Sequence, residues 1–432
     1  MDIAIYTIRA VSQMIFSPEY LLMLVLLIAI LYSRNKKTAM MQKMIIGESS
    51  VSPFELTISQ VVLGIIAGIL ASVILAYLGI IFTDYQMILI LFMVSILLML
   101  AGAKYICFSY SGGIIAVISV AIQLYEKYFN VKLPQIDFLK VDVLMLVSLI
   151  GVLHIIEGLL VIIDGKQGAI PVFTNRNNEI IGGFVFKRYW VLPLVVLFMI
   201  QGANVDAGSV TQVAQPSWWP LIRSASYGLL STAILSAACF FGMIGYSSVT
   251  FTKTKNQKVL SSGLFIMGYG IIMVLIAQAA KVDLLAQLLI GVLMPLFHEI
   301  MLRLQTYLEL KSLPKYVSSD DGLMVLEVAP QSPAFEMGIK PGDVLVSLND
   351  KKITNEEDML SAMSEVSNFI WLKIKNVQGK LKEIDYNKMN RSKRLGIVFV
   401  PRGVPKDRVV VKYEKEAFKD ILDKIKKDNS NK

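Results

Sequence analysis

Stretches of about twenty mostly apolar residues recur through the first three hundred or so positions of this chain, which is the length a helix needs to cross a bilayer's hydrocarbon core. They fall near 18–33, 58–80, 87–103, 110–125, 142–163, 190–207, 225–248, 259–280 and 284–303. Residues 3–17 read as an amphipathic, interfacial segment instead. Composition agrees with a membrane body, since 55% of the 432 residues are hydrophobic and 17% charged. Charge is thin before about residue 310 and dense after it, so a polytopic body over 1–310 gives way to something soluble near Leu313-Pro314-Lys315.

The net charge of +9 has no single basic, aromatic-studded face behind it, so nucleic acid is not an expected partner. The basic residues instead cluster between apolar runs: Arg34, Lys36, Lys37 and Lys43, then Lys166, Arg176, Lys187 and Arg188, then Lys253, Lys255 and Lys258. The positive-inside bias puts these clusters in the cytoplasm, against an anionic lipid leaflet. Nine helical crossings, about eight or nine in all, then leave the N-terminus outside and the soluble end inside. No basic n-region or cleavage site opens the chain, so no removable signal peptide is expected. Cys107 and Cys239 form neither a disulfide framework nor a CxxC pair.

The only two histidines lie in apolar runs, as Leu153-His154-Ile155-Ile156-Glu157 and as His298-Glu299 ahead of Arg303. Zinc hydrolysis on a helix needs two histidines at i and i+4 with a glutamate between them. Here Leu302 occupies the second ligand position, and Asp164-Gly165 precedes the His-Glu pair instead of following it. No metal, cofactor or catalytic residue is therefore expected. His154 can share a hydrogen bond with Glu157, and Glu299 can pair with Arg303 at helical spacing. A transport site is the competing reading of these ionisable groups, although no internal repeat supports it. The loop 164–189, punctuated by glycines and asparagines, holds two β-like runs, Ala169–Phe173 and Glu179–Phe186. It reads as a cytoplasmic hairpin or a docking surface.

After Pro314 the periodicity changes to that of an α+β module. Leu323–Val328 is a strand, Ser332-Pro333 caps a short helix that Gly338 ends, and Val344–Leu348 is the next strand. Thr354 with Glu357 reads as a capping box for a second helix bearing Met359, Leu360, Met363 and Val366 on one face. Ile370–Ile374 and Leu381–Tyr386 close the pattern. This order and the string SPAFEMGIKPGD resemble a bacterial PDZ domain, which implies a domain over 316–403 that takes an extended peptide as an added strand. The apolar-Gly-apolar signature of the groove strand is absent at 313–321 and present at the far end, in Arg394-Leu395-Gly396-Ile397-Val398. The resemblance thus implies a circular permutation with the groove strand last. Arg394 or Lys393 would stand near a bound carboxylate, Gly396 would leave room for the peptide backbone, and Met359, Leu360 and Met363 would face it. An ordinary closing strand bulged at Gly396 is the plainer reading. In the tail, 404–432, Phe418, Ile421, Leu422 and Ile425 form one stripe among lysines, either packed on the module or touching the membrane.

The arrangement resembles the MinJ-type topology factors of cell division in Gram-positive bacteria, multi-spanning proteins with a cytoplasmic C-terminal PDZ domain. The matching residues are LHIIEGLLVIIDG (Leu153–Gly165), the AIPVF after it, Gly182-Gly183-Phe184, His298-Glu299 and the closing RLGIVFVP. The resemblance implies a non-enzymatic membrane scaffold; a homo-oligomer is compatible with the sequence, which does not give the oligomeric state. The scaffold would recruit MinC/MinD-type division inhibitors to septum and poles through a DivIVA-like coiled-coil scaffold. A PDZ-containing intramembrane protease or protease regulator, and a transporter with a regulatory PDZ module, are the alternatives.

Overall fold

The computed structural model describes residues 2–47, 51–83, 85–200, 216–223, 228, 234–366, 368–389 and 394–403. The basic tail, and Lys393 with it, lie outside the described residues. The body contains α1 (Ile3–Phe16), α2 (Pro18–Ile46), α3 (Pro53–Leu78), β1 (Ile81–Phe82), α4 (Gln86–Ala101), α5 (Phe108–Phe129) and α6 (Val143–Asp164). It continues with β2 (Ile170–Arg176), β3 (Glu179–Ile200), β4 (Ile234–Thr250), α7 (Lys255–Ala277) and α8 (Leu284–Lys311). Six helices among the described residues are long and apolar enough to cross a membrane, and α1 and α4 are shorter apolar helices. Their outward faces carry apolar residues such as Leu22, Ile66, Leu97 and Leu275, as a lipid-facing surface should. This is a multi-pass membrane protein.

Two runs expected as helices, near 190–207 and 225–248, are strands over their described parts. β3 pairs antiparallel with β4 from Phe184↔Thr250 to Ile200↔Ile234. Apolar length cannot separate a long buried strand from a helix, and Val191, Val195, Val196, Tyr189 and Trp190 favour the extended form. A strand inside such a body needs its edge covered, and α3 does this. Gly64 and Gly68, one turn apart, press directly on β3: a Cβ on either would come within 2.3 Å of Val191 O and 2.4 Å of Pro193 O respectively. Ser72 Oγ then accepts the Val195 N–H at 2.9 Å.

The antiparallel α6–α7 pair uses the same device. Gly151 meets the Gly270 carbonyl, and Gly158 meets that of Gly263, so the two backbones touch with no side chain between them. Contacts sort the ends of these elements. The C-terminal ends of α2, α6 and α8 and the N-terminal ends of α3 and α7 gather on one side, through Gln42–Ala169, Ser59–Asp164 and Thr250–Glu309 bonds. Asp2 meets Tyr77, and Ile81 pairs with Leu197, at the opposite side. All three basic clusters lie toward the first side.

The module adds β5 (Tyr316–Val317), β6 (Leu323–Val328), α9 (Pro333–Glu336), β7 (Val344–Leu348), β8 (Lys351–Lys352), α10 (Glu356–Ser364), β9 (Ile370–Lys375), β10 (Leu381–Tyr386) and β11 (Ile397–Phe399). Its sheet runs β10-β9-β7-β6-β11, which puts the last strand beside the module's first long one. Asn349 and Asp350, with φ of 47° and 61°, form the left-handed pair of a tight hairpin turn. The cap of α10 sits one residue later than the sequence pattern suggests. Asn355 Oδ1 accepts the Asp358 N–H at 2.8 Å, while Thr354 spends its hydroxyl on the Asp358 carboxylate.

Candidate functional site

Three features of the structure bear on function: the joint between body and module, the edge strand β11, and a polar cluster inside the helices.

The joint explains the loop 164–189. It forms the β2–β3 hairpin, and β3 takes β5 as a neighbour through Ile181↔Val317 and Gly182↔Tyr316. The Gly-Gly-Phe string is its contact surface. Gly182 faces Val400 and Leu326, Gly183 lies under Phe251, and Phe184 meets the buried Tyr316 ring edge-on at 5.7 Å. Lys315 N–H donates to Phe251 O at 2.8 Å, and Lys255 pairs with Glu327. The module is therefore built into the body's sheet, and the loop's docking partner is the chain's own module.

Behind the joint two buried carboxylates are saturated. Asp164 receives Arg188, the Trp190 Nε1–H at 2.9 Å and Ser59 Oγ–H at 2.9 Å. Glu309 accepts from Phe251 N at 2.7 Å, Thr252 N at 3.0 Å and both threonine hydroxyls, with Lys258 at 3.8 Å.

β11 is the edge of the module sheet, which is where strand addition needs an unpaired row of backbone groups. Its side chains alternate: Leu395 and Ile397 pack into the module's own core, whereas Val398 joins the cluster shared with the body. Arg394 is exposed beside the end of α2 at Gly47. On α10, Met359 is buried, Met363 is partly buried and Leu360 is 68% exposed, so the three do not form one face. Gly396 does not leave an empty space. With φ at +79°, a Cβ there would meet Ser332 Cβ at 2.2 Å, so this glycine is needed for the module's own packing.

The two histidines, read from the sequence as separate sites, lie together. Their rings are 5.6 Å apart, and Cys107 at the start of α5 reaches both: its Sγ is 3.2 Å from His154 Nε2 and 3.5 Å from His298 Nε2. His154 does not spend its other nitrogen on Glu157; Nδ1 bonds Ile150 O at 2.8 Å, its own helix supplying the nearer acceptor. Glu299 does pair with Arg303, at 3.0 Å, and takes the Tyr110 hydroxyl as well. Leu302 packs against the apolar core, so no second ligand follows His298 on α8. Sequence reasoning missed Cys107, because nothing in its local spacing ties it to positions 154 and 298.

Comparison with known proteins fits this architecture. A family model for the PDZ domain matches residues 313–368. The chain is 25% identical over 347 residues to "Cell division topological determinant MinJ" of Bacillus subtilis (strain 168), covering 78% of this chain and 81% of that protein. It is 28% identical over 64 residues to "Probable cell division topological determinant MinJ" of Lacticaseibacillus paracasei, covering 15% of this chain and 17% of that protein.

Proposed function

We propose that this chain, a MinJ-type multi-pass protein with a PDZ domain, is a scaffold that recruits division-site placement proteins to septum and poles. We divide it into a membrane body over 1–310, a peptide-reading module over 316–403 and a basic tail over 404–432, with the module in the cytoplasm. The observation that carries this reading is the joint. Its contacts are made by the strings that match the family pattern, Gly182-Gly183-Phe184 on the body and the closing strand on the module. A domain fused to the membrane part through a shared sheet suits a protein whose task is to hold partners at a membrane location.

The peptide would add to the free edge of β11, beside Arg394, Leu395, Gly396, Ile397 and Val398. Met363 of α10, partly buried on the same core as Ile397, would contact its side chain, with Met359 supporting from within and Leu360 at the rim. Division regulators of the Min type and a DivIVA-like polar scaffold are the partners the family resemblance suggests. Basic clusters gathered on the module's side favour a cytoplasmic module by the positive-inside bias.

The test is localisation of a fluorescent fusion after Lys432 in wild type and in Met363→Glu, which puts a charge at the apolar face without touching a spanning helix. We expect the variant to stay in the membrane with a folded module, and to lose its enrichment at septum and poles. Normal enrichment of the folded variant would overturn the groove assignment. An extracytoplasmic readout from the same fusion would overturn the scaffold reading.

A further inference from the structure

The cluster of Cys107, His154 and His298 has more lone pairs than protons. Ile150 O can only accept, so His154 carries its proton on Nδ1 and turns the Nε2 lone pair toward Cys107. The Tyr110 hydroxyl donates to Glu299 Oε2 at 3.0 Å, so its oxygen accepts from His298 Nδ1 at 3.3 Å, and the second Nε2 lone pair also points at the sulfur.

Ser109 Oγ, 3.3 Å from His154 Nε2, cannot relieve this. The Tyr269 hydroxyl donates to Met294 O at 3.0 Å and therefore accepts the Ser109 proton at 2.8 Å. Two imidazole lone pairs then share the single proton of one thiol. One extra proton would place two imidazolium rings against one thiolate among apolar helices. A cation that accepts both nitrogens and the sulfur satisfies all three.

We propose that Cys107, His154 and His298 form a zinc-binding site inside the helical body, separate from the peptide groove. Zinc bonds thiolate at about 2.3 Å and imidazole at about 2.0–2.1 Å, so tetrahedral ligation sets sulfur and nitrogen about 3.6 Å apart. The observed separations of 3.2 and 3.5 Å are close to this, and all three ligand atoms lie within 4.8 Å of one another. Each histidine is already oriented by an acceptor on its other nitrogen, the arrangement that fixes tautomer and ring in metal sites. On binding, Zn²⁺ takes the two Nε2 lone pairs and the Cys107 thiolate, and the thiol proton is released to solvent. A fourth position stays free for water. The ligands come from three elements, so the ion would pin the start of α5 to inner turns of α6 and α8.

Full-length protein purified in detergent should be exposed to Zn²⁺, dialysed and assayed for metal, then loaded with Co²⁺ for absorption spectroscopy. Wild type should retain about one zinc per chain, and Co²⁺ should give visible bands of a tetrahedral site with a thiolate charge-transfer band. Cys107→Ser should abolish the charge-transfer band, and His298→Gln should bring zinc to background. Tyr110→Phe, which removes the acceptor behind His298 together with the donor to Glu299, should weaken affinity by about 10-fold. Size-exclusion profiles identify any variant that fails to fold. Cys107→Ser, isosteric and only partly buried at its position, then carries the test. Background zinc in folded wild type would overturn the site, as would full zinc retention in folded Cys107→Ser and His298→Gln.

Discussion

The buried polar clusters around Asp164 and around Cys107 differ in how their hydrogen bonds close. Around Asp164 each carboxylate oxygen meets a donor, and Arg188 spreads its own donors over Asp164, Ser59 Oγ and Leu56 O. Around Cys107 the acceptors outnumber the protons. A closed network needs nothing further and serves the fold, whereas an open one calls for a ligand. Residue types alone would not have separated them, since both sit in apolar runs with one ionisable group near another.

The largest effect should come from breaking the closed cluster. Arg188→Ala leaves Asp164 charged, buried and without its partner, which typically costs about 3–5 kcal/mol. We expect a strongly lowered thermal midpoint that added zinc does not restore. Recovery with zinc would erase the distinction between the clusters. Glu309→Gln keeps the shape but weakens the two charge-assisted bonds from the Phe251 and Thr252 backbone, a class worth about 1.5–3 kcal/mol when lost outright. Its loss should appear as faster amide exchange where β4 meets α7, with α6 unaffected.

Gly182→Val tests whether the joint is as closed as the cluster behind it. Its Cβ would start 2.8 Å from Val400 Cγ2, and overpacking of this kind costs about 1–3 kcal/mol. Spin labels on body and module should give one narrow distance distribution in wild type and a broad one in the variant. A narrow distribution in both would mean that the strand pairing alone holds the module.

A half-buried carboxylate of the module gives the smallest effect. The Thr354 hydroxyl and then its N–H hold the Asp358 carboxyl below the ordinary value of 3.8. Because the folded group titrates below its unfolded value, its stabilisation is complete above that pH and is lost as the pH falls through the folded value. Acid unfolding of the module should therefore lose part of its slope in Asp358→Asn and keep it in variants of the buried clusters.

The module was legible because its turns and caps use residues with one strong local preference. Ser332-Pro333 and Gly338 mark positions that the structure uses as read, and Asn349-Asp350 turn the chain through left-handed backbone. The body was legible as a membrane element but not in its strands, because an apolar run reports burial and not backbone conformation. Gly64 and Gly68 on α3 allow the close approach seen in the structure, yet nothing local says that the approaching backbone is β3. Of the residues named for the groove, β11 lies at the edge of the module sheet, Leu360 faces outward and the space beside Gly396 is taken by Ser332. The Cys107 cluster was illegible, since its members come from three elements and meet only once the helices pack.

The pairing of β5 with β3 has a consequence for encounters in the membrane plane. A flexible tether lets a reader domain sweep a hemisphere, so whatever it holds arrives at random tilt and height. Here two paired strand positions and a buried tyrosine fix that attitude. A protein caught on β11 would ride at one elevation above the lipid with one side turned toward its neighbours. Two such chains side by side would then present their cargoes in matching orientation, and diffusion would have two dimensions left to search in place of three.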